Sequence, residues 1–199
     1  MIAVDIEGSG TEPHVHSMLS LGAVDLADPA RTFYGECRAF DGAKIEDEAL
    51  AVNGFTREQA TDPQKQSEAE LVHSFITRAG ASADLTLAGQ NVSYDRDMLK
   101  YAAQRAKHTA YPFAHRTVDS HTLAWMHMVK RGLTPPIDPE HRRSALNLDA
   151  VLLYCGIPEE PKPHNALTGA KSHAEVISRL LYDKKLLPEF AQFDIPWVK

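Results

Sequence analysis

The sequence predicts an α/β fold, and two patterns indicate it. Residues 2–7, 18–26 and 31–40 are strand-like and joined by short connections, which is typical of antiparallel neighbours. From residue 67 onward, segments with apolar residues at helical spacing alternate with the short apolar runs 84–88 and 115–118. Strands that come first, followed by alternating helices and strands, are the order of elements in an α/β domain.

The first strand ends in two carboxylates on one face. Because side chains alternate along a strand, Asp5 and Glu7 share a face while Val4 and Ile6 point to the opposite one. The Gly-rich turn Gly8-Ser9-Gly10 follows at once, so this charge lies at the carboxyl end of a strand, where α/β sheets build their sites. Paired carboxylates suit a hard divalent cation. Two acids at a strand end are equally typical of a solvated surface, so other residues must decide.

Composition narrows the class of protein. A chain of 199 residues with 43% hydrophobic and 24% charged residues fits one domain with a sizeable core, spanning residues 1–199. The formal charge of −6 argues against a broad basic surface, so a polyanionic substrate would be bound locally. Cys37 and Cys155 form neither a close pair nor a dense framework, which predicts a reduced cytoplasm. No apolar stretch approaches the ~20 residues of a membrane span, and no export signal is expected.

Helical spacing predicts the elements that follow the first three strands. We expect helices over 45–60 with a break at Asn53-Gly54, over 67–79, from about 93 and from 119, over 146–154 and over 165–182. Asp95 falls in the first turns of its helix, where the helix dipole favours a carboxylate. Asp119 or Ser120 is the expected cap of the next helix.

Two further segments differ from their surroundings in composition. Lys130 to Arg143 is the most basic stretch of the chain and is predicted to be a loop, because it contains three prolines. It is either a solvated loop or a site of phosphate contacts. The tail over 186–199 contains Phe190, Phe193 and Trp197. It is too apolar to remain free, so we expect it to dock on the body or on a second subunit.

Three short stretches resemble the exonuclease motifs of the DEDDh exonucleases, a family that includes ribonuclease T, oligoribonuclease and the proofreading subunit of bacterial DNA polymerase. They are Asp5-Ile6-Glu7, Asn91-Val92-Ser93-Tyr94-Asp95 and His164-Asn165-Ala166, in the order that the family has. The segments between them are similar as well, so the resemblance covers nearly the whole chain. It implies a ribonuclease H-like fold, with a central mixed five-stranded sheet flanked by helices.

The resemblance also implies an activity. The expected reaction is 3′-5′ exonucleolytic release of mononucleotides from single-stranded DNA or RNA, with two divalent ions, Mg²⁺ or Mn²⁺, ~4 Å apart. By resemblance, Asp5 bridges the two ions, Glu7 binds the ion on the nucleophile side and contacts the terminal nucleotide, and Asp95 supports the second ion. His164 is the expected general base, since an imidazole accepts a proton from water near neutral pH.

Three more residues are carried over from the family positions. Ser9 and Gly10 are expected to let the chain approach the terminal nucleotide, and Asn91 is expected to shape the nucleotide pocket. No membrane partner is expected, and the apolar tail allows a homodimer.

One departure from the family pattern bears directly on the chemistry. The motif His-x-Ala-x-x-Asp ends in a metal-binding aspartate, and Gly169 stands at that position. A glycine inside a helix costs about 1 kcal/mol relative to alanine, so helix stability does not explain it. His173 lies one turn later on roughly the same face, and Glu175 lies nearer the opposite side, but an imidazole is a poor ligand for Mg²⁺.

Three hypotheses therefore stand at the sequence level. The first is an exonuclease whose nucleophile-side ion is weakened, and the second is a module that binds nucleic acid without cleaving it. The third, a structural protein with fortuitous motifs, leaves three motifs in the family order unexplained.

Overall fold

The computed structural model describes residues 1–199, with a five-stranded mixed sheet in the order β3-β2-β1-β4-β5. Strands β1 (Ile2–Gly8), β2 (Met18–Asp25) and β3 (Asp28–Glu36) are antiparallel. Strands β4 (Leu87–Gly89) and β5 (Thr117–Asp119) extend the sheet in parallel from β1. The predicted fold class is confirmed, and β1 lies at the centre of the sheet.

Seven helices surround this sheet. They are α1 (Asp47–Asn53), α2 (Arg57–Thr61), α3 (Glu68–Ala79), α4 (Ser93–Arg105), α5 (Ser120–Lys130), α6 (Leu148–Tyr154) and α7 (Ala166–Tyr182). Short polar side chains cap five of the seven helices, where they accept otherwise unpaired backbone N–H groups. Asp119 caps α5 through the N–H of Thr122, and Asn165 caps α7 through the N–H groups of Leu167 and Thr168. No helix is both long enough and apolar enough to cross a membrane.

The alternation predicted for β1 is confirmed by its packing. Val4 and Ile6 belong to the core that α3 and α4 form on one face of the sheet. Ala3 packs with Ala170 and Ala174 of α7 on the other face, which is also the face of Asp5. The odd-numbered side chains of β1 are thus directed toward α7.

A glycine on the neighbouring strand lets α7 come close to the sheet. A Cβ atom added at Gly22 of β2 would collide with the backbone of Ala166, in the first turn of α7. Any larger residue at this position would push the helix away. Gly22 therefore helps to bring the start of α7 against β1 and β2, next to the acidic end of β1.

The basic segment is more ordered than the sequence indicates. Strands β6 (Ile137–Asp138) and β7 (Arg143–Ser144) pair in antiparallel fashion, so the predicted loop contains a small hairpin. The carboxylate of Asp138 accepts the N–H groups of Glu140 and His141 and thereby organises the turn. The prediction of a loop was wrong for these paired residues, because prolines beside a strand do not prevent a two-residue pairing.

The C-terminal tail lies on the body and is held there by a buried ion pair. Arg179 of α7 is fully buried and donates to Glu175 at 2.7 Å, and it also donates to the carbonyl oxygens of Phe190 and Phe193 at 3.1 Å. The second oxygen of Glu175 accepts the N–H groups of Leu186 and Leu187 at 2.9 Å. Glu175 and Arg179 are both fully buried, so each depends on these partners.

Candidate active site

Two segments of the chain bring three carboxylates together. Asp5 and Glu7 come from β1, and Asp95 comes from the first turn of α4. One carboxylate oxygen of Asp95 accepts the backbone N–H of Ile6 at 2.9 Å, so the start of α4 is attached to β1 between the two other acids. Glu7 and Asp95 are buried, at 9% and 3% exposure, while Asp5 is partly accessible.

Burial raises the pKa values of all three carboxyl groups. Burial raises the pKa of Asp5 well above its ordinary range, and the charges of Asp95, Glu7 and Glu160 raise it further. Burial also raises the pKa of Glu7 to about 7 and that of Asp95 to about 8. Buried carboxyl groups with raised pKa values favour either bound protons or a nearby cation.

His164 directly precedes α7 and borders two cavities. The first, of about 220 Å³, contains polar groups from five parts of the chain, and its lining residues are Asp5, Gln90, Asn147, Leu148, Asp149, Glu160, His164 and His173. The second, of about 210 Å³, lies beside Asn53, Pro163 and Asn165. The backbone N–H of His164 donates to the carbonyl of Val52 at 3.2 Å, which fixes the chain just before the helix.

The structure supplies a physical reason for glycine at position 169. A Cβ atom there would lie 2.6 Å from Cγ of Asp5 and would collide with one of its oxygens. The carboxylate of Asp5 thus occupies the space in which a side chain at position 169 would begin. An aspartate at this position would require Asp5 to rotate.

Sequence reasoning placed only Asp5 and His164 of the first cavity in the site, overlooked Glu160 and Gln90 among others, and undervalued His173. Glu160, in the Pro-rich segment before α7, is 8% exposed, and one of its carboxylate oxygens is buried without any hydrogen-bond partner. Gln90 stands one position before the family-like stretch at 91–95 and donates to the carbonyl of Leu146 at 2.8 Å. His173 has Nε2 4.0 Å from a carboxylate oxygen of Asp5. Glu160 belongs to no motif, so no local signal in the sequence indicates its place in the cavity.

Ser9, Gly10 and Asn91 are the residues expected to contact the nucleotide. None of them lines the cavity of Asp5 and His164. Ser9 is fully buried, and its hydroxyl donates to the carbonyl of Lys44 at 2.7 Å and accepts the N–H of Ser17 at 2.9 Å. Gly10 is buried beneath the ring of His16. The expectation that Ser9 and Gly10 approach a nucleotide stays a prediction, and the hydroxyl of Ser9 already has two internal partners.

Asn91 lies at the surface, in the left-handed backbone region with φ of 50°, just before α4. It does not line the cavity of Asp5 and His164, which Gln90 borders instead.

The chemistry of the donor set fits a divalent ion, whereas the spacing does not show a formed site. Asp5, Glu7 and Asp95 offer oxygen atoms, which Mg²⁺ and Mn²⁺ prefer. No group of three or more His, Cys, Asp or Glu side chains converges to metal-binding distance. The structure therefore indicates which residues could hold a metal, without a coordination geometry.

Comparison with known proteins connects this arrangement to a group of nucleases. No protein-family model matches the sequence. Ribonuclease T of Vibrio vulnificus (strain CMCP6) is 29% identical over 140 residues, which cover 62% of this chain and 63% of that protein. Ribonuclease T of Escherichia coli (strain K12) is 28% identical over 141 residues, with the same coverage of 62% and 63%. The match thus spans less than two thirds of the length of these relatives.

Solved structures show the same fold. E. coli exonuclease I in complex with a dA16 oligonucleotide has a TM-score of 0.68 at 16% identity, over 92% of this chain and 40% of that one. The nuclease domain of 3′hExo, a DEDDh family member bound to rAMP, has a TM-score of 0.67 at 16% identity, over 94% of this chain and 93% of that one.

The fold is therefore the ribonuclease H-like fold of exonuclease domains, as the sequence predicts. In sequence the chain is similar to ribonuclease T, and in fold it is similar to the nuclease domain of a DEDDh family member.

Proposed function

We propose that this chain is a metal-dependent 3′-5′ exonuclease that releases mononucleotides from the 3′ end of single-stranded nucleic acid. One observation carries the proposal. Asp5 and Glu7 lie at the carboxyl end of β1 beside Asp95, burial raises the pKa values of all three carboxyl groups, and Asp5 borders the same cavity as His164. Acids perturbed in this way, beside an imidazole and a cavity, are typical of a site for phosphoryl chemistry.

Each residue has a role in this proposal. Asp5, Glu7 and Asp95 would hold divalent ions, Mg²⁺ or Mn²⁺, which stabilise the charge on the leaving oxygen and lower the pKa of the attacking water. His164 accepts the proton of that water at its unprotonated ring nitrogen. Its position at a cavity that Asp5 also lines allows a water to lie within reach of both side chains.

The substrate class follows from charge and from the structural neighbours. The chain has a formal charge of −6, so it must hold a polyanion through a local patch. Arg142 and Arg143, in the β6–β7 hairpin, are exposed and available for such contacts. Exonuclease I is solved with oligonucleotides and 3′hExo with rAMP, which supports a single-stranded 3′ end as the substrate of this chain.

Two further expectations from the sequence concern the compartment and the oligomer. Cys37 and Cys155 are both buried and unpaired, which supports a reducing compartment such as the cytoplasm. The apolar tail residues contact their own chain, with Leu187 and Ile195 buried, so the tail no longer supplies an argument for a homodimer.

The test is a time course of cleavage with 5′-labelled single-stranded DNA and RNA oligonucleotides in Mg²⁺, in Mn²⁺ and in chelator. We expect a ladder that shortens from the 3′ end only when metal is present. Asp5→Asn should abolish the ladder, whereas Asp41→Asn, an exposed aspartate on a turn, should leave it unchanged. A ladder of equal intensity in Asp5→Asn would contradict the proposal.

The second candidate is a module that binds single-stranded nucleic acid without cleaving it, and the absence of a carboxylate at Gly169 favours it. It predicts no ladder in either metal. It also predicts salt-dependent binding of a labelled oligonucleotide, measured by fluorescence anisotropy, which Asp5→Asn does not weaken. A metal-dependent ladder in the unmodified chain would exclude this candidate.

A further inference from the structure

The cavity that Asp5 and His164 border contains a carboxylate to which the proposed function gives no role. Glu160 lines this cavity and is 8% exposed. Its oxygen Oε1 is buried and has no hydrogen-bond partner, while its backbone N–H donates to a carboxylate oxygen of Asp149 at 3.3 Å. An interior polar group without a partner costs free energy, so a hydrogen-bond donor from a ligand would stabilise Glu160 in this place.

The lining of the cavity has more acceptors than donors. The amide group of Gln90 is engaged at both ends, because it donates to the carbonyl of Leu146 at 2.8 Å and accepts the hydroxyl of Ser120. No Lys or Arg side chain lines the cavity, whereas the carboxylates of Asp149 and Glu160 do. A ligand group that fits this lining therefore brings a hydrogen-bond donor and carries no negative charge.

Among the parts of a nucleic acid, the ribose 2′-hydroxyl matches these requirements. A phosphate group only accepts hydrogen bonds and is repelled by carboxylates. The donors of a base differ from one base to the next, whereas every ribonucleotide has a 2′-hydroxyl, which donates as well as accepts. A carboxylate that accepts a ribose hydroxyl is also the arrangement in dinucleotide-binding folds.

The size of the cavity agrees with a sugar ring. Its volume is about 220 Å³, which is below the roughly 300–1,000 Å³ of pockets that enclose a whole drug-sized ligand. The backbone bond to Asp149 joins the segment of Glu160 to the first turn of α6, so the carboxylate has a fixed position at the cavity.

We propose that Glu160 accepts a hydrogen bond from the 2′-hydroxyl of a ribose in this cavity, so that the chain binds single-stranded RNA in preference to DNA. This inference rests on the proposed function and narrows its substrate to RNA. Glu160 is thus a residue that determines specificity, and it takes no part in the chemical step.

The experiment compares two oligonucleotides that differ only at the 2′ position. Binding of labelled oligouridine and of its 2′-fluoro analogue is measured by fluorescence anisotropy in chelator, so that no cleavage occurs. Fluorine keeps the sugar pucker of RNA and cannot donate a hydrogen bond. Burial raises the pKa of Glu160 to about 7, so about pH 8 keeps most of this carboxyl group ionised. The unmodified chain should bind oligouridine at least about tenfold more tightly, as expected for a hydrogen bond to a charged group.

Three variants assign this preference to Glu160. Glu160→Leu should bind both oligonucleotides equally, because it has no acceptor. Glu160→Gln keeps an oxygen without the charge and should lower the preference about threefold, since charged hydrogen bonds are roughly twice as strong as neutral ones. Glu159→Gln, at an exposed neighbour, is the matched control and should keep the full preference. Glu160→Leu should also unfold at no lower urea concentration than the unmodified chain, because it removes an unpartnered buried oxygen.

Two results would overturn the inference: equal binding of both oligonucleotides by the unmodified chain, or a full preference retained by Glu160→Leu. Where Glu160→Leu does not fold, a full preference in Glu160→Gln has the same meaning. A preference that depends on Glu160, without a cleavage ladder in either metal, would refute the exonuclease and retain this site. A metal-dependent ladder together with equal binding of both oligonucleotides would retain the exonuclease and refute this site.

Discussion

Replacing Gly169 by alanine tests the contact between α7 and Asp5 through stability alone. In an unobstructed helix this change stabilises the folded state by about 1 kcal/mol, because alanine is the better helix former. In this chain the new Cβ would lie 2.6 Å from Cγ of Asp5. Relief of such overpacking costs about 1–3 kcal/mol, so Gly169→Ala should leave stability unchanged or lower it by up to about 2 kcal/mol.

The sign of the stability change caused by Gly169→Ala depends on whether the carboxylate of Asp5 is present. With Asp5→Ala the obstructing carboxylate is absent, so Gly169→Ala should then stabilise the chain by the full ~1 kcal/mol. The coupling free energy between the two positions is therefore expected to be about 1–3 kcal/mol, as is usual for residues in contact. In a chain of 199 residues, each kcal/mol corresponds to a shift of the unfolding temperature of about 2–4 °C.

The assay is urea unfolding of the four proteins in chelator at pH 7, which keeps metal binding from contributing. Four free energies of unfolding complete the double-mutant cycle. A coupling free energy below about 0.5 kcal/mol would refute the reasoning, since distant and independent sites add within that margin. It would mean that Asp5 does not occupy the space above Gly169.

Three other predictions address charge. Burial and neighbouring acids raise the pKa of Asp95 to about 8 from an ordinary value of 3.8. Between these two pH values the folded state binds more protons than the unfolded state. The free energy of unfolding therefore falls as pH rises through this window. Asp95→Asn should therefore reduce the loss of unfolding free energy between pH 5 and pH 8 in chelator, and an identical loss in both proteins would contradict this origin. Arg179→Met should destabilise the chain by about 3–5 kcal/mol in urea unfolding, because it leaves Glu175 charged and buried without its partner. A change below about 1 kcal/mol would show that the ion pair is dispensable. Arg142→Ala with Arg143→Ala should weaken oligonucleotide binding and reduce its salt slope by about 1 for each phosphate contact that is lost. An unchanged slope would show that the hairpin does not touch the substrate.

Much of the fold follows from local patterns. The alternation along β1 places Asp5 on a different face from Val4 and Ile6, as the packing confirms, because the direction of a side chain in a strand is set by the backbone. The helix predicted over 165–182 agrees with α7 almost to the residue, since α7 has an apolar stripe and a capping asparagine. The β6–β7 hairpin escapes prediction, as a pairing of two residues has too few side chains to create a period.

The residues of the candidate site are only partly predictable from the sequence. Asp5, Glu7, Asp95 and His164 stand in motifs, so their resemblance to the family is enough to identify them as candidates. Glu160 belongs to no motif, and its position in a Pro-rich linker indicates nothing about its distance from Asp5.

The sequence by itself determined the class of fold, the order of its elements and the acids at the end of the first strand, because each depends on neighbouring residues and on backbone geometry. Only the tertiary structure decided that Asp5 fills the space above Gly169 and that Glu160 and His173 border the same cavity as His164. Asp5 is more than 150 residues away in the sequence from Glu160, Gly169 and His173. These segments meet only when α7 packs against the sheet, and no local pattern in the sequence encodes the distance between them.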